Sequence, residues 1–587
     1  MPTSNNPDLV GFLDRMQEEG ELRRDETPLK DADLNLRFLR GDQWPASPTG
    51  SPFRPSGAGY RFTLNLLNQI VKRKVALITD SRPQMEVIPY TRKRQGVADV
   101  VKYTMMGLWD EQNFDQSAAR ELVRAATIGS TMAVPIWDET ANYGRGDIRV
   151  LMYDPRQVVI DPSVTRSIDL QRHGEFMQVF ELRPIAELRE RYQDAAEHVQ
   201  GDSRWSTYQE KGTQGQHRPF QSIASAIQRP WKRDQQRLVE SATPRALLRH
   251  TWFKDWQRDD RGQPVWSKPR IVRYVADADR QVLRDEPMQY WHRQLPGHLY
   301  DWDIELEHPH GMSEVGGLRR LQYTLNRIVG QIMDNVILTN RVRTIADSDA
   351  VDAKTWQLIS ANPNGVFIRK RQGRTFNYEL PVNALPPFLL PLIEVLVRGF
   401  DLQSGLTEVT RGATRSNTSG VAIEGLQMAA QSIVRLEARA FENWLERIFQ
   451  QVVALIFQYF PTERTFSYHG PGPGMVSYTF ERYKLLDPSG NGDVPTRPDE
   501  EWRDFRFRIL PGSSLAMSRV QRGIMAANLY QLGLIPGIDV LRASEWPSPE
   551  ETLKQAREEA ATGVGPVGGA RRLQKAPGTT RRDQAIV

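Results

Sequence analysis

The stretch from Leu385 to Phe460 constrains the fold more than any other part of the chain. It reads as a helix, a polar loop and a second, much longer helix that starts after Gly420 and stops at Pro461. Ile423, Leu426, Ala430, Ile433, Ala440, Phe441, Trp444, Leu445, Ile448, Val452, Leu455, Ile456 and Tyr459 recur mostly at spacings of three and four. That is the period of an amphipathic helix with one buried stripe. At about 1.5 Å per residue such a helix spans roughly 60 Å, more than a compact domain needs. The loop before it, residues 405–420, carries small, hydroxylated and basic side chains with almost nothing to bury. Asn417, Thr418 or Ser419 is placed to cap the helix by accepting from its free N–H groups.

A chain of 587 residues exceeds what one core can serve, so several domains are expected. No apolar run reaches the roughly 18 residues of a membrane span; Phe388 to Val397 is broken by Pro391 and Glu394. A charged-then-apolar leader is not indicated at the N-terminus. The absence of cysteine excludes disulfides, thiolate metal sites and cysteine nucleophiles. Of the net charge of +5, +4 lies from Thr562 onward, in Arg571, Arg572, Lys575, Arg581 and Arg582 against Asp583, leaving +1 for the body. So neutral a body disfavours a tight DNA clamp, whose affinity grows with each phosphate neutralised.

Along the chain, a peripheral helix is expected around Leu9 to Arg24, then Phe38 to Trp44 with Gly41 as a helix C-cap before a buried tryptophan. A helix follows from Asn65, burying Leu66, Ile70, Val75 and Ile78, and a strand runs from Gln84 to Pro89. Helices over 97–110 and 117–128 lead into a strand meander over 132–137, 147–153 and 157–161. Residues 200–244 read as a polar insertion, and 245–284 as a compact, self-contained β-rich insert. Leu318, Leu321, Leu325, Ile328, Ile332 and Val336 mark a helix starting near Ser313, whose Gly316, Gly317 and Gly330 would permit close approach of neighbouring subunits. Beyond the long helix, residues 462–497 read as loop, 505–509 as a strand and 517–532 as a helix.

Two stretches invite a chemical reading. Acids occupy every odd position from Asp301 to Glu307, so a strand here would have one carboxylate face, with His308 and His310 beside it. Asp301, Asp303 and His308 could then hold a divalent cation, as in a metal-dependent nuclease or other DNA-processing enzyme. The same alternation, with Trp302, Ile304 and Leu306 between the acids, fits a half-buried strand with an acidic outer face. The basic runs 72–74 and 92–94 are either nucleic-acid patches or solvated helix faces. No phosphate-binding Gly-x-x-x-x-Gly-Lys-Ser/Thr loop and no Gly-x-Ser-x-Gly elbow occurs.

The pattern Gly405-Leu406-Thr407 … Gly412 … Ser416-Asn417-Thr418-Ser419-Gly420-Val421-Ala422-Ile423 resembles the tunnel loop and following helix of phage portal proteins, most similarly those of short-tailed phages. On its own it also fits a polar connector in a helical bundle. Gly41-Asp42-Gln43-Trp44, Asn65 with Ile70-Val71, Arg82-Pro83, the turns at Asp154-Pro155 and Asp161-Pro162, and Gly311 with Leu318 to Gln322 and Asn326 are similar to portal elements in the same order.

The resemblance implies a portal-type α+β fold. Its parts would be a wing over 1–235, a clip-like insert over 236–300, a stem helix region over 301–343 and a wing return over 344–385. A tunnel helix and loop over 386–420, a core helix over 421–460, a crown over 461–561 and a disordered basic tail over 562–587 would follow. It implies a non-enzymatic ring, commonly a dodecamer, at one capsid vertex, through which double-stranded DNA is packaged and ejected without sequence preference. Its implied partners are the terminase motor, neck and tail adaptors, and the major capsid or scaffolding protein. No cofactor, no metal and no membrane are implied, and assembly would take place in the host cytoplasm. Thr410, Arg411, Thr414, Arg415 and Ser416 would face the channel from the tunnel loop, and Arg319, Arg320 and Arg327 from the stem. Arg261, Lys268 and Arg270 would dock the motor.

Overall fold

A computed structural model describes residues 7–25, 28–44, 62–80, 82–90, 94–199, 244–340 apart from a few positions between 257 and 280, 385–406, 432–482 apart from 461–462 and 470–474, 498–510, 526–543 and Thr552. The chain divides into two compact units, residues 1–466 with 478–516, and residues 467–477 with 517–587. In the first unit helices and strands are mixed throughout, as the α+β reading expects.

Helix α1 (Pro7–Asp25) and α2 (Ala32–Arg40) precede α3 (Leu66–Thr79), whose cap is the Asn65 side chain accepting from Asn68 N. Strand β1 (Met85–Pro89), α4 (Gln95–Glu111), α5 (Phe114–Ile128), β2 (Ser130–Asp138) and β3 (Asp147–Tyr153) follow. The expected meander divides here. β2 and β3 join a later strand, while β4 (Val158–Ile160) opens a second sheet with β5 (Phe176–Pro184). After α6 (Ile185–Tyr192), that sheet continues through β6 (Arg245–Phe253), β7 (Arg270–Val275) and β8 (Gln281–Pro287), each antiparallel to the one before.

The residues after 244 are therefore not a self-contained insert. β6 pairs with β5 from Phe176 opposite Phe253 to Pro184 opposite Arg245, so one sheet spans the expected boundary at 236. Side chains alternate across it. Val159, Phe176, Phe180, Phe253, Val272 and Tyr274 face α1, burying Leu9, Val10 and Leu13, and Arg249 Nη1 donates to Asp14 Oδ1 at 2.9 Å. Helix α1 is thus part of a core rather than peripheral.

Strand β9 (His298–Asp301) completes the three-stranded order β3-β2-β9. Then come α7 (Glu314–Asn340), α8 (Leu389–Ser404) and α9 (Ser432–Tyr459). β10 (Glu463–His469) and β11 (Met475–Glu481) form a two-stranded sheet where loop was expected, because Phe466 and Phe480 carry apolar anchors into the core beside Phe460. β12 (Phe505–Ile509) runs antiparallel to β1, pairing Met85 with Ile509 and Pro89 with Phe505.

The main core forms around α9. Its first turns keep a solvent face at Arg435, Leu436, Arg439 and Asn443, as a single stripe requires. Further on the stripe closes into a full circle, with every residue from Ile448 to Phe457 buried except half-buried Gln450. Strand β12, the β2–β9 sheet and helices α3 and α4 enclose it from different sides. Ile423, Leu426 and Ala430 lie outside the described residues, as does the side chain of Ile433.

Four glutamines satisfy backbone groups left open at two sheet edges, β12 and β3, and in two irregular stretches. Gln450 Nε2 donates to Phe505 O at 3.0 Å and its Oε1 accepts from Phe507 N at 2.8 Å, along the edge of β12 away from β1. Gln112 does the same to Ile148 O and Val150 N on β3, and Gln458 to Gln289 O and Trp291 N. Gln322 holds Leu64 O and Leu66 N. In each case one carboxamide spans the carbonyl of one residue and the N–H two residues on. A carboxamide presents one donor side and one acceptor, like a peptide group, so it stands in for a missing neighbouring strand without burying a charge.

Candidate channel and assembly surfaces

Helix α7 is capped by Ser313, whose Oγ accepts from Gly316 N at 2.8 Å and from Asn35 Nδ2 at 2.9 Å. Its inner face carries a polar network. Gln322 Nε2 and Leu64 N both donate to Asn326 Oδ1, at 3.0 and 3.1 Å, and Asn326 Nδ2 donates to Gln43 Oε1. Gln43 Nε2 donates in turn to Phe38 O at 2.9 Å and Asn65 Oδ1 at 3.1 Å. Gly41, at φ 93°, closes α2 in the left-handed region and turns the chain so that Gln43 enters this network. Half-buried Trp44 tilts over Tyr323 with ring centroids 5.9 Å apart and donates to Thr63 Oγ1. The scattered motifs Gly-Asp-Gln-Trp, Asn65 and Gln322…Asn326 therefore meet at one place.

On the outer face of α7, Arg320, Thr324, Arg327 and Gln331 are exposed at helical spacing. Arg319 is turned away from them, donating to Asp31 Oδ2 at 2.8 Å and Asn35 Oδ1 at 2.9 Å. The expected channel trio thus splits into two outward arginines and one that ties α7 to the turn before α2. Of the docking residues, Arg261 is exposed, and Lys268 lies outside the described residues. Arg270 is buried, with Asp285 at 2.7 Å, Asp255 at 3.2 Å and the Trp266 ring centroid at 4.8 Å. Such a side chain cannot reach a partner. Thr410, Arg411, Thr414, Arg415 and Ser416 lie outside the described residues.

The acidic stretch is not one strand. β9 ends at Asp301, and beyond it Ile304 and Leu306 are 58% and 85% exposed, so nothing enforces alternation. Asp301 Oδ1 accepts from Ser167 Oγ at 2.6 Å, and Asp303 caps its own turn by accepting from Ile304 N. Among the described residues no group of three or more acids and histidines is placed to hold a metal ion. The first basic run also divides. Lys72 and Arg73 are exposed, but Lys74 is buried against Glu314 at 2.7 Å and Glu437 at 2.9 Å.

Helix α8 is the most apolar surface element described. It packs on α7 through Phe400 and through two glycines, where an added Cβ at Gly399 would meet Leu321 at 3.5 Å and one at Gly317 would meet Gln403 at 3.6 Å. Both of these contacts lie inside the subunit. The opposite side of α8 and the residue before it leave Phe388, Leu390, Val395 and Leu402 between 61% and 77% exposed. Exposed Glu394 and Arg398 interrupt this side, but several large apolar side chains left together at a surface mark a place of interaction. No helix among the described residues is long and apolar enough to cross a membrane.

A subunit that leaves such a helix uncovered has the character of a structural piece awaiting neighbours. The profile of the phage P22-like portal protein family matches residues 14–472, and the chain belongs to that family. It is accordingly a structural component of a phage capsid with an oligomeric assembly. No curated protein matches it.

Proposed function

We propose that copies of this chain close into a ring at one capsid vertex through contacts made by α8, and that double-stranded DNA passes through the ring during packaging and ejection. The observation that supports this reading, beside the family, is the uncovered apolar side of α8. Burying it against a second copy removes Leu390, Val395 and Leu402 from water at roughly 25 cal/mol per Å² of apolar surface. In this reading the outer face of α7 lines the channel with Arg320 and Arg327. The loop between α8 and α9 adds Arg411 and Arg415, with Thr410, Thr414 and Ser416 as short hydrogen-bonding groups. Motor docking falls to Arg261 and Lys268, since Arg270 is committed to Asp255 and Asp285. The terminase is the packaging partner, and neck and tail adaptors take its place afterwards.

Mass photometry and negative-stain imaging of the full chain under assembly conditions test the ring. Closed rings are expected from the wild type, and folded monomers from the Leu390→Asp, Val395→Asp double variant. A wild type that remains monomeric, or a double variant that still closes into rings, overturns the proposal.

A further inference from the structure

Three helices meet at a buried charge cluster that the ring reading does not use. Lys74 of α3 donates to Glu314 Oε2 at the first residue of α7, at 2.7 Å, and to Glu437 Oε1 near the start of the described length of α9, at 2.9 Å. The three side chains are only 3%, 11% and 10% exposed. Trp302 closes the site, its Nε1 donating to Glu314 Oε2 at 3.3 Å and its ring centroid lying 6.0 Å from the ammonium. One cation faces two carboxylates, so the fully ionised cluster holds one uncompensated negative charge away from water. Two further atoms are unsatisfied. Glu437 Oε2 and the phenol oxygen of fully buried Tyr300 have no hydrogen-bond partner among the described residues.

We propose that Glu437 takes up and releases a proton at this junction, and that the proton docks the leading end of α9 onto α3 and α7. With Glu437 neutral, Lys74 and Glu314 are a balanced pair. With Glu437 ionised, the extra charge pays a desolvation cost that one shared ammonium does not cancel.

The other charged groups act in the same direction. Burial pushes the Glu437 carboxyl up from 4.5 to about 7; Lys74 opposes this, while Glu314 and Asp303 add to it. Burial works against the charge on Lys74, but the two carboxylates outweigh it and hold its pKa above the usual lysine value. Tyr300 is pushed up by its own burial and by Glu437, so it stays a neutral phenol beside the carboxyl. Because folding raises the carboxyl above its ordinary 4.5, the stabilisation it brings is complete below that value. It is lost as pH rises through about 7. The change is local, because α9 carries no acidic or basic side chain of its own between Ile448 and Phe457. The junction does not depend on the ring reading.

Hydrogen–deuterium exchange of the full chain, corrected for intrinsic rates, tests this in the wild type and in Glu437→Gln. The amide keeps the shape of the protonated carboxyl and cannot titrate. In the wild type, protection over 434–445 is expected to fall about tenfold between about pH 6 and about pH 8, while 450–457 stays unchanged. Glu437→Gln is expected to keep the acid-form protection at both values. The proposal is overturned if both proteins lose protection in parallel, or if the whole of α9 loosens together. It is equally overturned if Glu437→Gln is loose at both pH values or does not fold, since the junction then needs the carboxylate charge.

Discussion

Helix α8 and the second half of α9 are both strongly apolar, yet they meet opposite fates in the subunit. Between Ile448 and Phe457, α9 is enclosed on every side, and even Gln451 is buried and donates to Leu295 O at 3.2 Å. Helix α8 buries Phe400 and Ser404 and leaves Leu402, two residues from each, 77% exposed. Hydrophobicity tells a helix to leave water but does not say whose side chains will cover it. In α9 the cover comes from the same chain, and the helix is a matter of subunit stability. In α8 the cover is missing over Leu390, Val395 and Leu402, and the proposed ring contact is what would supply it.

A large effect that would sharpen this contrast is expected at Trp444. Its ring is fully buried beside Tyr300 and Phe441, and its Nε1 donates to His298 O at 2.9 Å. Trp444→Ala opens a cavity and orphans a carbonyl, so a loss of about 3–5 kcal/mol is expected in denaturant unfolding of the unassembled subunit. A loss under about 1 kcal/mol would mean that the enclosure of α9 is not what holds the subunit together.

Next in size is Gln450→Leu. It preserves apolar packing but leaves Phe505 O and Phe507 N without the partners they now have. Unmade buried hydrogen bonds cost about 1–3 kcal/mol, and exchange should rise first at Phe507. If that amide remains as protected as in the wild type, the carboxamide is not acting as a strand neighbour.

How much of this was legible beforehand follows the same division between local and distant causes. The three- and four-residue spacings gave α7 and α9, and Gly41 as a left-handed cap, because those signals are local. The full enclosure of α9 was not, since a stripe reports one covering layer and β12 and the β2–β9 sheet come from far along the chain. Gln450-Gln451 within an apolar run was the available signal that polar edges would arrive there. The alternation from Asp301 to Glu307 misled because periodicity is meaningful only where one face is buried, and Leu306 is not. Arg270 and Lys74 looked like surface charge because sequence does not show the acids that pair with them in space, Asp255 and Asp285 for one, Glu314 and Glu437 for the other.

A smaller effect on the subunit, with a large one on assembly, is expected at α8. Val395 is 64% exposed, so Val395→Asp alone should change subunit stability by no more than about 0.5 kcal/mol. The same substitution at Val452, 1% exposed, strands a carboxylate in the core and should prevent folding. Circular dichroism and thermal melts of the two variants compare the helices directly. Equal damage from both would break the distinction drawn between them.

The smallest effect on stability is expected on the outer face of α7, where the two kinds of arginine can be set against each other. Arg320 and Arg327 are exposed, so replacing both by alanine should leave the melting of the subunit and the closure of the ring unchanged. An exposed arginine meets a phosphate through salt screened over a Debye length of roughly 8 Å, so each contact is weak. Repeated by every subunit around a channel, weak contacts still add up to a surface on which DNA is held without being fixed. The double variant is therefore expected to build normal heads that package or retain less DNA, measured as the genome protected from nuclease per head. Arg319→Ala is the internal control. It breaks the contact with Asp31 and Asn35, part of which meets water, so it should cost up to about 1 kcal/mol of subunit stability. Its heads, where they form, should protect DNA as the wild type does. Full DNA content in the Arg320, Arg327 variant, or a DNA defect in Arg319→Ala without any loss of stability, would show that the outward face of α7 is not the face that meets the genome.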